Sequence, residues 1–417
     1  MGDVYIIGVS MTKFDRLPDK SIKQLASESL DSVFKDCQLP KERIEAVWFS
    51  NSGWGIHQFQ HCIRGQVAMA PYGIQGIPIM NVENACAGGS NALHGAWMGI
   101  KSGLYDVTLA IGVEKLFNPS DKRLTMNAFI AGTDVEVTTK IIEQMREQAR
   151  KKREQLIAEG KLTPNEKEKE RSAFMDIYAM GARLHAAKYG STQRQLAVIA
   201  AKNHNNGALN PLAQYQFPMT VEEVLNDILV AFPLTRAMCA PIGDGAAAAI
   251  LCSEKFLKTF GASRAVRIRA SVIQSGMMHG PDKPGIGERC AKRAYEMAGI
   301  GPEDIHVAEV HDATAFGELN MYEELGFCPK GEGGIFAESG ATQIGEKIPV
   351  NPSGGLECRG HPIGATGLAQ IYEIVTQLRG EAGKRQVVGA RIGLTENGGG
   401  FMGVEEAAMA IHILEKA

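Results

Sequence analysis

Two stretches, Cys86-Ala87-Gly88-Gly89-Ser90 and His361-Pro362-Ile363-Gly364-Ala365-Thr366-Gly367, decide how this chain is read. Each opens a run with helical periodicity. Gly103 closes the first run, and an apolar strand pattern follows at Asp106–Val113. Gly380 closes the second, followed by a strand pattern at Gln386–Ile392. Upstream of the first lie a helix pattern (Leu25–Cys37), Leu39-Pro40 and a strand at Ala46 that ends near Asn51. Upstream of the second lie a helix pattern (Glu288–Ala298), Gly301-Pro302 and a strand at Val307 that ends near His311. Each half also ends in a Gly-rich hairpin pattern, Gly243-Asp244-Gly245-Ala246-Ala247-Ala248-Ala249-Ile250 and Gly398-Gly399-Gly400-Phe401-Met402-Gly403. These correspondences run in one order. They predict two similar α/β halves, joined face to face through their equivalent helices. Strands that alternate with helices imply a mostly parallel, doubly covered sheet.

The chain starts with a strand pattern at Val4–Val9. Ile22, Leu25, Ala26, Leu30, Val33 and Phe34 then recur at helical spacing, with Ser21 or Asp19 as cap. The halves differ by one insertion. The resulting division is residues 1–116 with 236–262 for the first half, 117–235 for the insertion and 263–417 for the second half. Within the insertion, Thr138–Glu159 is charged and helical in pattern. Gly160–Asn165 is a turn containing Pro164, and a second helix is expected over Glu166–Tyr189. Charge runs ordinarily face water, so this is read as a solvated helical hairpin. A lid, a wall for a substrate tail or a docking arm is the functional alternative.

The composition is that of a soluble globular protein: 417 residues, 44% hydrophobic and 22% charged. A net charge of −3 lacks the basic excess of a nucleic-acid binder. Eight Cys in this length, with no CxxC pair, argue against a disulfide scaffold and a structural zinc site. The N-terminal stretch has no signal-peptide layout, and Ile6 breaks the myristoylation pattern. The ending Glu415-Lys416-Ala417 is not a peroxisomal tripeptide. No apolar run approaches the roughly 18 residues of a membrane span. The expectation is a cytoplasmic protein with reduced thiols and no resident metal.

Cys86 directly precedes a helix, where the partial positive charge of the helix start favours thiolate. Small neighbours let a carbonyl approach backbone N–H groups that can hold an oxyanion. The plain alternative is a buried core Cys. His361 occupies the equivalent place in the second half. A two-fold relation between the halves would bring thiol and imidazole together, the pair that makes an activated sulfur nucleophile. Taken alone, His361 reads equally as a ring satisfied by a turn carbonyl. Cys358, three residues upstream, offers only a weak two-ligand metal pattern with it. His311 follows a strand, where α/β sites gather, and is placed to donate to a thioester oxygen. Asp312 reads as a cap for the next helix.

These residues resemble the thiolase superfamily, in particular its sterol-carrier-protein-type and archaeal branch. The resemblance covers nearly the whole chain. It rests on Asn84-Ala85-Cys86-Ala87-Gly88-Gly89-Ser90-Asn91-Ala92-Leu93, on residues 239–248, on His311-Asp312, on Ser353-Gly354-Gly355-Leu356 and on residues 360–370. It implies a five-layer αβαβα body built from two duplicated halves, with a loop domain inserted in the first. It implies an acyl-enzyme on Cys86 and a base role for His361, with His311 beside it around one oxyanion hole. The second hole would use the N–H groups of Cys86 and of a glycine near 398–400, with Gly398 and Gly399 as candidates. Most thiolases carry a second Cys before a terminal Gly triplet. Here the stretch is Thr395-Glu396-Asn397-Gly398-Gly399-Gly400, and either Asn397 or Glu396 takes that position, with Asn397 preferred. Ala313 stands where some relatives place the second Cys. The α-proton is therefore left to His311, Glu396 or the leaving CoA thiol.

The resemblance implies a thiolase acting on a 3-oxoacyl-CoA, by thiolytic cleavage or the reverse Claisen condensation. Coenzyme A is a substrate and no cofactor is permanently bound. An aromatic or branched substrate such as benzoylsuccinyl-CoA is one expectation. Acetoacetyl-CoA formation for isoprenoid synthesis is a second, and a non-catalytic acyl-CoA-binding scaffold subunit a third. Expected partners are acyl-CoA and CoA, a second copy in a dimer, and a small zinc-ribbon/OB-fold protein. Neither nucleic acid nor membrane is expected.

Overall fold

Nine strands form one mixed sheet because the chain uses the same strand plan twice; five of its eight pairings are antiparallel, so it is not the mostly parallel sheet expected from the sequence. The computed structural model describes residues 2–140, 173–278, 283–403 and 405–417, together with Glu143, Glu147 and Glu154. In the first half the strands are β1 (Val4–Met11), β2 (Ala46–Ser50), β3 (Ile79–Val82) and β4 (Val107–Glu114). A small hairpin, β5 (Leu229–Ala231) and β6 (Leu234–Thr235), lies in the insertion. Then come β7 (Gly245–Ser253), β8 (Val266–Ser275), β9 (Val307–Glu309), β10 (Ile392–Gly399) and β11 (Ala408–Lys416). The order across the nine-stranded sheet is β3-β2-β4-β7-β1-β8-β11-β10-β9. Outward from the β1–β8 seam, β7 matches β11, β4 matches β10 and β2 matches β9. A parallel bridge from Ala308 to Val350 stands where β3 pairs with β2. The seam itself is short, pairing Tyr5 with Arg267 and Ile6 with Val266.

Helices sort into layers by the apolar faces they must bury. The helix Ile22–Cys37 starts at Ser21 with a full capping box and packs on β1 and β7 from outside. Ile286–Ala298 covers β8 and β11 from the other outer side. Gly88–Lys101 and Thr366–Arg379 lie together in the middle and touch strands of both halves. The layers run helix, strands, paired helices, strands, helix, as the resemblance implied. Small residues permit this closeness. A Cβ on Gly89 would sit 3.0 Å from the Leu368 nitrogen, and one on Gly367 would sit 2.2 Å from Ser90 Oγ. The buried alanine run Ala246–Ala249 of β7 gives the central layer the same room.

Several sequence expectations need correction. Gln386–Ile392 is not a strand. A turn at Val388–Gly389, with Gly389 at φ 76°, interrupts it, and the strand starts at Ile392. The Gly243–Ile250 stretch is not a hairpin but the entry to β7, whose partners β1 and β4 lie far off in sequence. Gly400–Ala407 does connect β10 to β11. The insertion enters at the place equivalent to this connection, between β4 and β7. Of the expected helical hairpin, Gly160–Asn165 and most of residues 141–172 lie outside the described residues. The helix Ala173–Tyr189 is not simply solvated: Ala179 and Ala182 are buried. The following helix, Gln193–Gly207, is largely buried against the second half. Asp312 does not cap the helix after it, which Thr314 caps instead. Its carboxyl accepts the N–H groups of Leu356 (2.7 Å) and Glu357 (3.2 Å) at the start of the short helix Gly355–Arg359.

Candidate active site

Cys86 sits in a tight turn, Ala85–Ala87, that runs directly into the central helix Gly88–Lys101. Ala85 has φ 48°, a left-handed conformation that costs a residue with a Cβ. Fixed contacts hold the turn in place. Asn84 Nδ2 donates to Asn91 Oδ1 (2.7 Å), Asn91 Nδ2 donates to the Ala87 carbonyl (2.8 Å), and the Ala85 N–H donates to Glu83 (2.6 Å). Gly399 packs so closely on this turn that a Cβ there would lie 2.3 Å from the Asn84 oxygen. Its neighbour Gly400 has φ 67°, and the N–H groups of Gly400 and of Cys86 itself are near enough to the sulfur to favour its thiolate form. Within the 398–400 stretch named from the sequence, Gly400 is the glycine whose N–H acts on the sulfur. Gly398 and Gly399 are still paired in β10, with Met409 and Ala408.

His361 Nε2 lies 3.2 Å from Cys86 Sγ. On the far side of the ring, His361 Nδ1 lies 2.8 Å from Thr366 Oγ1, which in turn donates to the Pro362 carbonyl at 3.0 Å. A hydroxyl has one proton, and the carbonyl takes it. The Thr366 oxygen therefore accepts from His361 Nδ1–H, which leaves the Nε2 lone pair facing the thiol.

The same reasoning gives His311 the opposite tautomer. Ser90 Oγ donates to Asn397 Oδ1 (3.0 Å), and Asn397 Nδ2 donates to His311 Nδ1 (2.9 Å). His311 therefore carries its proton on Nε2 and is a hydrogen-bond donor with no free lone pair. The two rings meet edge to face, 5.1 Å apart at 82°. Glu396 does not share this position with Asn397, because successive strand residues face opposite ways. Its Oε2 accepts the His311 main-chain N–H at 2.8 Å, while Oε1 is buried without a hydrogen-bond partner among the described residues.

The electrostatics hold the resting site neutral. Burial pushes the Cys86 thiol up to about 12, and Glu83 and Glu114 add to this, while the N–H groups of Gly400 and Cys86 oppose it. The thiolate expected from the helix start is thus overruled by desolvation. Burial also pushes His311 down to about 3, helped by Arg359. His361 lies well below the ordinary imidazole value through burial, His311 and Arg359. Arg359 is itself fully buried, on Glu309 (2.8 Å) and Ser353 Oγ (3.1 Å). Glu396 is raised to about 8, chiefly by burial and then by Glu406 and Glu324. A neutral thiol against a neutral base passes its proton only as the sulfur attacks.

One wall of the site is apolar: Cys86 packs against a buried cluster of Leu116, Ala128 and Ile363, on which Ile56, Phe129 and Ile242 also pack. The inserted helix Ala173–Tyr189 reaches this wall. Phe174 lies 6.2 Å from Phe129, ring to ring. One turn on, the Tyr178 ring edge would meet a Gly317 Cβ at 3.6 Å, a position 3.1 Å from the His311 carbonyl. Tyr178 is near enough to Cys86, Glu396 and Glu406 for their charges to act on it, and burial raises its phenol well above the ordinary value.

The structure therefore gathers Cys86, His361, His311 and Asn397 and sets Glu396 behind them. Sequence reasoning missed Thr366, Ser90 and Tyr178. The first two lie inside stretches already singled out. Tyr178 sits in the charged insertion and carries no local signal.

Comparison with known proteins agrees with this arrangement. Residues 4–230 match the thiolase N-terminal domain, and residues 286–415 match the domain described as thiolase C-terminal domain-like. An acetyl-CoA acetyltransferase of Methanothermobacter thermautotrophicus is 39% identical, over 100% of both chains. The benzoylsuccinyl-CoA thiolase subunit BbsB of Thauera aromatica is 34% identical, over 95% of this chain and 94% of its own. Among solved structures, the Ltp2-ChsH2(DUF35) aldolase superposes with a TM-score of 0.75, 21% identity, and coverage of 99% of this chain and 98% of that one, a likeness of fold. No helix among the described residues is long and apolar enough to cross a membrane. With its duplicated body, its Cys–His pair at the two central helix starts and both domain matches, the chain belongs to the thiolase family, acyltransferases for which coenzyme A is a substrate and no cofactor is permanently bound.

Proposed function

We propose that the chain is a 3-oxoacyl-CoA thiolase that works through an acyl-Cys86 intermediate. The observation that carries this reading is the 3.2 Å contact between Cys86 Sγ and the His361 Nε2 lone pair. Cys86 attacks the 3-keto carbon as its proton passes to His361. The new alkoxide is held by the N–H groups of Cys86 and Gly400. The C2–C3 bond then breaks, and its electron pair goes to the enolate of the departing acyl-CoA. His311 Nε2–H donates to that thioester oxygen. His311 serves as donor rather than base because Asn397 occupies its other nitrogen. The proton for C2 comes from the Tyr178 hydroxyl, in the role the missing second Cys plays elsewhere. Incoming CoA restores that proton to Tyr178 and takes the acyl group, and the imidazolium of His361 reprotonates Cys86.

The apolar wall beside Cys86 supports a bulky apolar acyl group, the class to which benzoylsuccinyl-CoA belongs. A second reading, formation of acetoacetyl-CoA, is favoured by the 39% identity to an acetyl-CoA acetyltransferase. Intact-mass spectrometry decides. The chain should gain one acyl group from an aromatic 3-oxoacyl-CoA faster than from acetoacetyl-CoA, and Cys86→Ala should gain none. A scaffold subunit would show no adduct with either, and an adduct that persists in Cys86→Ala would refute the mechanism.

The assembly is a cytoplasmic dimer, supported by the half-exposed edge strand β3. A small zinc-ribbon/OB-fold protein joins it. The names of two relatives support this: one is a subunit and the other a complex with ChsH2(DUF35). The exposed apolar side chains Met180, Leu184, Leu229 and Phe232 of the insertion offer such a protein a surface. Sedimentation at micromolar concentration should give two copies; a fully active monomer would refute the dimer.

A further inference from the structure

We propose that Cys86, His311 and His361 also form a binding site for one soft divalent cation of the zinc type, which reversibly blocks the nucleophile. One donor atom from each of the three residues lies within 4.8 Å of the other two. Around a tetrahedral zinc, with bonds of about 2.3 Å to sulfur and about 2.0–2.1 Å to nitrogen, donor atoms stand roughly 3.3–3.6 Å apart. The sulfur and His361 Nε2, at 3.2 Å, are already close to that spacing. The widest separation has to close by about an ångström, which side-chain rotation supplies. The two imidazoles meet edge to face at 82°, so they do not stack on each other.

The supporting shell suits a metal as well as it suits catalysis. His361 already has its lone pair toward the sulfur and its other nitrogen hydrogen-bonded to Thr366, the outer contact that fixes a metal-bound imidazole. His311 must move its proton from Nε2 to Nδ1. A half-turn of the Asn397 amide accommodates this: Oδ1 then accepts from Nδ1–H, and Nδ2 donates to Ser90 Oγ. Glu83 and Glu114 lie near enough to act on Cys86, and their charge that opposes a bare thiolate attracts a cation. Atoms balance simply. The S–H bond breaks, the S–metal bond forms, and the proton leaves to solvent. Nothing is oxidised or reduced. Thiolate with imidazole selects zinc, cobalt or cadmium over magnesium or calcium. The fourth position stays open to water.

The test uses cobalt(II) as a visible stand-in, added to the full-length, chelator-washed enzyme without substrate. One equivalent should produce a thiolate-to-cobalt charge-transfer band and the intense d–d bands of a four-coordinate ion. Zinc should abolish both by displacement and should stop acylation of Cys86, and a chelator should restore acylation. Cys86→Ser should lose the charge-transfer band. His311→Ala and His361→Ala should each weaken cobalt binding by at least about tenfold, with circular dichroism showing that both remain folded. Cys62→Ser, which alters an exposed Cys outside the three-residue ligand group, should bind as the parent does. The proposal is overturned if no band forms, if the band survives Cys86→Ser, or if either His variant binds as tightly as the parent. Binding is read in the resting protein, so the result stands even if the chain proves not to cleave 3-oxoacyl-CoA.

Discussion

Thr366→Val is the substitution that best isolates the geometry of the base. It keeps the shape of a β-branched side chain and removes only the hydroxyl. In the native site that oxygen accepts from His361 Nδ1–H at 2.8 Å, and it is fully buried. Without it, the ring must either keep a buried N–H unpaired or move the proton to Nε2. The first leaves a donor unsatisfied, at a cost of about 1–3 kcal/mol. The second places a proton against the Cys86 sulfur and removes the base. In either case the competent tautomer loses about 1–3 kcal/mol relative to its rival, which is about 5- to 150-fold in the rate of acylation. Single-turnover acylation, followed by intact mass, reads that rate directly. Half-saturation by acyl-CoA should stay unchanged, because Thr366 does not touch the substrate. Thr366→Ser, which keeps the hydroxyl, should recover most of the rate. If Val acylates as fast as the parent, or if Ser is slowed as much as Val, the tautomer argument fails.

Two further outcomes follow from the same site. Tyr178→Phe should slow exchange of the C2 protons of a bound acyl-CoA far more than acylation of Cys86; equal slowing, or none, removes the phenol from the proton step. Glu396→Gln should change how stability depends on pH. The folded state raises this carboxyl to about 8 from an ordinary 4.5, so its protonated form favours folding. That contribution is complete below pH 4.5 and disappears as pH rises through 8. The melting temperature of the parent should therefore fall relative to Glu396→Gln across that window, and parallel curves would refute the raised carboxyl.

Much of this was legible in the sequence because the duplication left the same punctuation in both halves. The strand, helix and Pro-containing turn before Asn51 and before His311 fixed the strand plan, and the two small-residue helix starts placed Cys86 beside His361. The ends of elements were less legible. Gln386–Val388 is apolar enough for a strand, yet Gly389 turns the chain before Ile392. Protonation was not legible at all. The helix start at Cys86 suggested a thiolate, but burial outweighs a helix dipole once water is excluded. Roles that depend on a second neighbour, such as Ser90 acting on His311 through Asn397, need coordinates because the partners lie 307 residues apart. Tyr178 was hidden for a different reason: charge patterning describes the wet face of its helix and says nothing about the dry one.

The sequence separation of 275 between Cys86 and His361 also sets a schedule. During synthesis the thiol leaves the ribosome long before its base, and Asn397 and Gly400 come later still. Until the second half docks, Cys86 has neither the imidazole nor the Gly400 N–H, and it behaves as an ordinary alkyl thiol. Chemical competence thus arrives in one step, at the docking of the halves. A chain cut short by interrupted translation lacks both, so its Cys86 exchanges with the cell's CoA thioesters only at the slow, uncatalysed rate of any exposed thiol.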